Sequence, residues 1–112
     1  MRAPYPYEIT LLNKLLCASG MALDLQGLKV EPINDGGMGS FEIVTEPSAI
    51  RLFGHSTAEC HFIDSDCVPV LVTLNVDPFG KPYEVDIWKV DFQPVIRWPK
   101  ENELIRGCIL TL

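Results

Sequence analysis

Hydrophobic positions along this chain change period once. Over PYEITLLNKLLCAS (6–19), Ile9, Leu12, Leu15 and Leu16 recur at helical spacing, while Glu8, Asn13 and Lys14 fall away from that stripe. The spacing predicts an amphipathic helix over 6–19, stopped at Ser19-Gly20, where glycine takes the left-handed cap. From Leu28 onward the period is two. LKVEPIN (28–34) predicts a short strand, and Pro32, which cannot donate to a ladder, puts it at a sheet edge. NDGGMGS (34–40) reads as a turn, SFEIVTE (40–46) as the returning strand, and EPSAIRLFGHS (46–56) as a connection with room for a short strand at Ile50–Phe53. TAECHFID (57–64), CVPVLVTLNVD (67–77) and PYEVDIWKVDF (82–92) are further strands, joined by turns at DSD (64–66) and DPFGK (77–81).

The last of these strands breaks phase. Tyr83, Val85 and Ile87 alternate with Glu84 and Asp86, yet Trp88, Val90 and Phe92 continue on the carboxylate side. A bulge or bend near Ile87-Trp88 is expected, after which Trp88 anchors in the core. Pro94 and Pro99 break the tail, and ENELIRGCIL reads as a short helix or a last strand. The expected fold is α+β, a single domain over 1–112. Its N-terminal amphipathic helix packs on one face of an antiparallel β-meander of four to six strands. The other face is expected to be wet, with Glu42, Glu59, His61, Thr73, Asn75, Glu84 and Asp86 as its side chains.

Composition narrows the class. At 112 residues, 47% hydrophobic and 21% charged, the chain can bury one core without staples. No apolar run approaches the roughly 20 residues of a membrane span. MRAPYPYEIT lacks the apolar stretch of a signal peptide, so a cytoplasmic location is expected. Cys17, Cys60, Cys67 and Cys108 are scattered without a CxxC pair and read as small buried or half-buried thiols. The net charge of −6 repels phosphate backbones and makes nucleic acid a poor partner. It suits a basic protein.

If strands 57–64 and 82–90 flank 68–76, then Glu59, His61, Glu84 and Asp86 share a face, with Thr73 and Asn75 between them. That set reads as a protein-binding face, a solvated face, or carboxylates and an imidazole for acid–base work. NDGGMGS lacks the strand-to-helix setting of a phosphate loop, and Asp35 opposes an anion. Met38 either plugs a core gap or meets a partner. DSD lacks the twelve-residue calcium loop, and His55, Cys60 and His61 lack metal-ligand spacing. No catalytic residue, metal or cofactor is assigned. Trp98, between Arg97 and Pro99, either stacks under Arg97 or projects to a partner.

Two segments, VEPINDGGMGSFEIV (30–44) and VPVLVTLNVDPFGKPYEVDIWKVDFQPVIRWP (68–99), resemble a family of small bacterial proteins of unknown function. Its later motif has a leucine-like residue where this chain has Val85. Such small acidic single-domain proteins look like the immunity proteins of polymorphic toxin systems. The resemblance implies a cytoplasmic, non-enzymatic inhibitor that occludes a toxin's active site. The expected partner is a basic toxin domain, with neither nucleic acid nor membrane involved and the chain a monomer or weak dimer. The face argument supplies the contact residues: Glu59, His61, Glu84, Asp86, Asp35 and Trp98. The alternatives are a small enzyme or ligand-binding domain using the Glu/His/Asp cluster, or a homo-oligomeric module.

Overall fold

The computed structural model describes residues 1–44 and 52–107. The helix α1 (Pro6–Ser19) packs on one face of a six-stranded sheet. The strands are β1 (Lys29–Pro32), β2 (Phe41–Val44), β3 (His55–Ile63), β4 (Pro69–Val76), β5 (Pro82–Lys89) and β6 (Ile105–Arg106), in the order β1-β2-β5-β4-β3-β6. Every pairing is antiparallel. The central part, β3-β4-β5, is a meander. The β1–β2 hairpin docks against the free edge of β5, and β6 against that of β3. Pro32 lies in the edge strand β1, as its missing donor requires. The candidate strand at Ile50–Phe53 falls partly outside the described residues, and Leu52 and Phe53 lie in no strand. The tail resolves into a 3-10 turn at Glu101–Glu103 and then β6; Cys108–Leu110 lie outside the described residues. No helix among the described residues is long and apolar enough to cross a membrane.

The core lies between α1 and the sheet. Leu11, Leu12, Leu15 and Leu16 bury against Phe41, Ile43, Val70, Val72, Leu74, Val85 and Ile87. Burying each such side chain contributes about 1.5–3 kcal/mol. Gly20 ends the helix in the left-handed conformation, and the Met21 N–H closes back on Leu16 O at 3.1 Å. Glu8 departs from its expected exposure: it is buried, because it anchors the N-terminal arm. Its carboxylate accepts from Arg2 at 2.6 Å and 3.0 Å and from the Tyr5 N–H at 2.7 Å. The thiols divide. Cys60 is buried, and burial pushes its pKa up to about 12. Cys17 and Cys67 are exposed, against expectation, because one sits on the outer side of α1 and the other in the turn after β3.

The expected bend in β5 does not occur. Pairing with β4 runs unbroken through Ile87, Trp88 and Lys89, and the register shifts lie elsewhere, at Asn75/Val76 and Ser56/Ala58. Lys89 takes the core position that alternation demands after Val85 and Ile87, and it is fully buried. Trp88 is therefore half-buried on the opposite face, not in the core. The Lys89 ammonium donates to Asp64 Oδ2 at 2.9 Å, Asp66 Oδ2 at 2.6 Å and Pro94 O at 3.4 Å. Burial works against its charge, but the two aspartates overcome that and raise its pKa. Asp64 also accepts the N–H groups of Ser65, Ile96 and Arg97, at 2.7, 2.8 and 3.0 Å. The DSD turn is thus an ion-pair latch that ties the post-β5 segment to the helix side of the sheet. Burial pulls the Asp64 carboxyl up. The Ile96 N–H, the Lys89 ammonium and the N–H groups of Ser65 and Arg97 outweigh this and hold it at about 2.

That route delivers Trp98 to the helix layer. Its ring stacks on Tyr7 of α1 with centroids 4.1 Å apart and also faces Phe62 at 6.3 Å. The edge of the indole's six-membered ring meets the NDGGMGS loop at Gly39. A Cβ there would stand 2.9 Å from the indole, and φ is +107°.

Replacing Asp64 with Ala strands a buried ammonium and several backbone donors, so chemical denaturation should show a loss of about 3–5 kcal/mol at neutral pH. The folded pKa of about 2 lies below the ordinary 3.8, so this contribution is complete above about pH 4 and fades as pH falls toward 2. The gap between native chain and variant should narrow by roughly 2 kcal/mol over that window. Gly39→Ala should also lower the thermal midpoint, because Trp98 must shift, whereas Gly36→Ala, in open space, meets only backbone strain.

Candidate functional site

Residues paired across antiparallel strands point the same way, so the register lays out the face opposite α1 in rows. One row runs Glu31 (β1), Glu42 (β2), Glu84 (β5), Asn75 (β4), Ser56 (β3). The next runs Asp86, Thr73, Glu59, and Ser40 reaches Asp86 from the β2 side through its hydroxyl at 3.2 Å. A third runs Trp88, Leu71, His61, Ile105. Beyond it lie Pro69 and Ile63, with the Val90 N–H bonded to Pro69 O at 3.1 Å. The face is therefore graded, with carboxylates toward the Glu31 end and apolar side chains toward the Trp88 end. Both α1 and the chain around Val95 and Trp98 pack on the other side.

Hydrogen bonds hold parts of this surface still. Asn75 Nδ2 donates to Glu84 Oε1 at 2.9 Å, and Ser56 Oγ donates to Asn75 Oδ1 at 2.8 Å. Ser40 Oγ accepts the Ile87 N–H at 2.8 Å, which locks β2 to β5 beside Asp86. His61 Nδ1 lies 2.7 Å from Gly107 O. A carbonyl only accepts, so Nδ1 carries the proton, and Nε2 is the acceptor of the neutral ring.

Two features of the surface are costly for the free protein. The first is the carboxylate row: Glu42 lies directly between Glu31 and Glu84, and like charges placed directly opposite destabilise a sheet by up to about 1 kcal/mol per pair. The chain's amino group reaches Glu31 at 2.7 Å, which leaves Glu42 and Glu84 as the less compensated pair. The second is the aromatic corner. Phe92 is 66% exposed, adopts φ +63°, and places its ring 6.1 Å from that of Trp88. A bulky side chain in the left-handed region is strained by about 1–2 kcal/mol. Among the described residues, the Trp88 Nε1–H is buried with no acceptor. Such a donor costs about 1–3 kcal/mol.

The structure brings four of the six sequence-derived candidates, Glu59, His61, Glu84 and Asp86, onto this one face. It places the other two elsewhere. Asp35 accepts the N–H groups of Met38, Gly39 and Ser40 at 3.1, 3.4 and 2.9 Å and so shapes its own loop. Burial raises its pKa, but these bonds dominate and lower it. Trp98 belongs to the helix layer, stacked on Tyr7 rather than under Arg97. Arg97 instead pairs with Glu103 at 3.1 Å. Met38 is buried. Glu31, Trp88, Ile63, Ile105 and Phe92 are face residues that the sequence pattern did not single out, whereas alternation along β4 does put Leu71 there with Thr73 and Asn75. The signal for Trp88 was present, since it shares parity with Glu84 and Asp86. Among the described residues, no group of three His, Cys, Asp or Glu side chains is placed to hold a metal ion. The carboxylates lie in flat rows rather than around a common point, an arrangement suited to meeting cations along a surface.

Glu42→Gln should raise stability by about 0.2–1 kcal/mol in low salt, and the gain should shrink as salt screens the row. Denaturant titrations at two ionic strengths measure both.

No curated protein and no solved structure matches the chain. One family model does, over residues 1–99. On that match, the chain belongs to the family described as Domain of unknown function (DUF6984).

Proposed function

We propose that this protein is an immunity-type inhibitor, not an enzyme. It binds a cognate basic bacterial toxin domain through the open sheet face and occludes the toxin's active site. The observation that supports the reading best is the row Glu31–Glu42–Glu84 on a face free of α1, with Asp86 and Glu59 in the next row. Folding alone gives no reason to set like charges abreast. A partner that brings Lys or Arg to the row converts that repulsion into attraction and speeds encounter. A standard interface would occupy roughly 800 Å² on each partner, about the extent of a small sheet face. The second support is the likeness of a small, acidic, single-domain chain to the immunity proteins of polymorphic toxin systems.

The test is co-expression of the tagged chain with the polypeptide encoded immediately upstream. A one-to-one complex and rescue of growth from that polypeptide are expected. Reversal of Glu59, Glu84 and Asp86 to Lys should slow association about tenfold or more in low salt and weaken rescue. A complex that forms with unchanged rate and salt dependence after the triple reversal would remove this face from the interface. A harmless neighbour that does not bind would remove the inhibitor reading.

A further inference from the structure

We infer that the corner formed by Trp88 and Phe92 is the anchor of the interface, taking an apolar side chain of a partner segment flanked by Lys or Arg. This rests on the binding role proposed above and assigns it a centre. The carboxylate rows border an apolar strip of Trp88, Leu71, Ile105, Ile63 and Phe92, of which Ile63 is 51% and Ile105 56% exposed. A basic and apolar segment matches both halves at once. A second copy of this chain fits less well, because among the described strand residues its open face sets only Lys29 and His61 as basic side chains against those carboxylates.

The two costly groups are neighbours in this strip, their rings 6.1 Å apart. Phe92 stands where glycine or asparagine would relax the backbone, yet its ring lies beside Trp88 and out in solvent. Its local geometry serves to present a ring, since the turn itself, closed by the Phe92 N–H on Lys89 O at 2.8 Å, does not require an aromatic side chain. The indole N–H of Trp88 has no acceptor among the described residues. A small turn of the indole toward the strip brings that N–H to a partner backbone carbonyl. Trp and its hydrogen bond then act as interface hot spots commonly do, while the carboxylates steer from the rim.

The experiment uses the full chain and the upstream-encoded polypeptide, with binding followed by surface plasmon resonance and folding by thermal melts. Trp88→Phe keeps an aromatic ring and removes the donor together with part of the indole's contact area. It should speed dissociation about fivefold to tenfold, at all salt concentrations. Phe92→Gly should weaken binding about tenfold or more, although the variant melts at or above the native midpoint. The charge reversals should act mainly on association and on its salt dependence. If both aromatic variants bind as the native chain does while the reversals still weaken binding, the anchor is overturned and the face remains. If neither set matters, the face falls and the anchor with it. If the chain alone sediments as a dimer that Phe92→Gly dissolves, the occupant is a second copy and the basic partner segment is overturned.

Discussion

A buried ammonium organises this molecule. Lys89 sits on the core side of the sheet, where an isolated charge is intolerable, and Asp64 and Asp66 neutralise it from the turn between β3 and β4. Asp64 spends its remaining acceptor capacity on the backbone of Ile96 and Arg97. The cation therefore fixes where the chain goes after β5. It turns to the helix side, and directly after Arg97 the Trp98 ring is stacked on Tyr7 and seated against Gly39. The helix layer is composite, made of α1 and a segment with almost no regular structure. Glycine in the first loop, the aspartates of the third turn and the tryptophan of the tail belong to one packing arrangement.

The same lysine shapes the opposite face. Because Lys89 accepts the inward position, β5 keeps its alternation, and Trp88 lands beyond Glu84 and Asp86 on the open side. Had an apolar residue been forced inward by a bulge, the tryptophan would have gone with it. The graded surface, acidic at one end and aromatic at the other, thus follows from how the core satisfies a charge. Stability and candidate function are set by the two sides of one strand.

Much of the fold was legible. The helix boundaries follow from the leucine spacing and Gly20, and the strands from period two. Pro32 marked an edge because a missing donor can be tolerated only there. Glu59, His61, Glu84 and Asp86 fell together because alternation and a meander are enough to align them. What was illegible depended on side-chain partners distant in sequence. Alternation assigns lysine outward, so the inward Lys89 was read as a slip in phase, and Asp64 and Asp66 looked like ordinary turn residues. Glu8 looked solvent-exposed because its partner, Arg2, lies outside the helix. Asp35 and Trp98 looked available because neither the loop they close nor the ring they stack on can be read from spacing. The docking of β2 against β5, rather than against its chain neighbour β3, is likewise a matter of tertiary pairing.

That last feature bears on how the protein is made. Phe41 pairs with Val85, roughly 40 residues later in the chain. During synthesis at about 5–20 residues per second, the first hairpin waits several seconds for its partner strand to exist. Through that interval Phe41 and Ile43 lack the cover of β4 and β5, and the edge that β5 will occupy is bare. β3, β4 and β5 are neighbours in both chain and sheet and can pair as they emerge, whereas β2 can dock only once β5 exists. Chain length between the two motifs is therefore a kinetic quantity as well as a structural one, and lengthening that stretch would extend the time an unfinished edge is open to other chains.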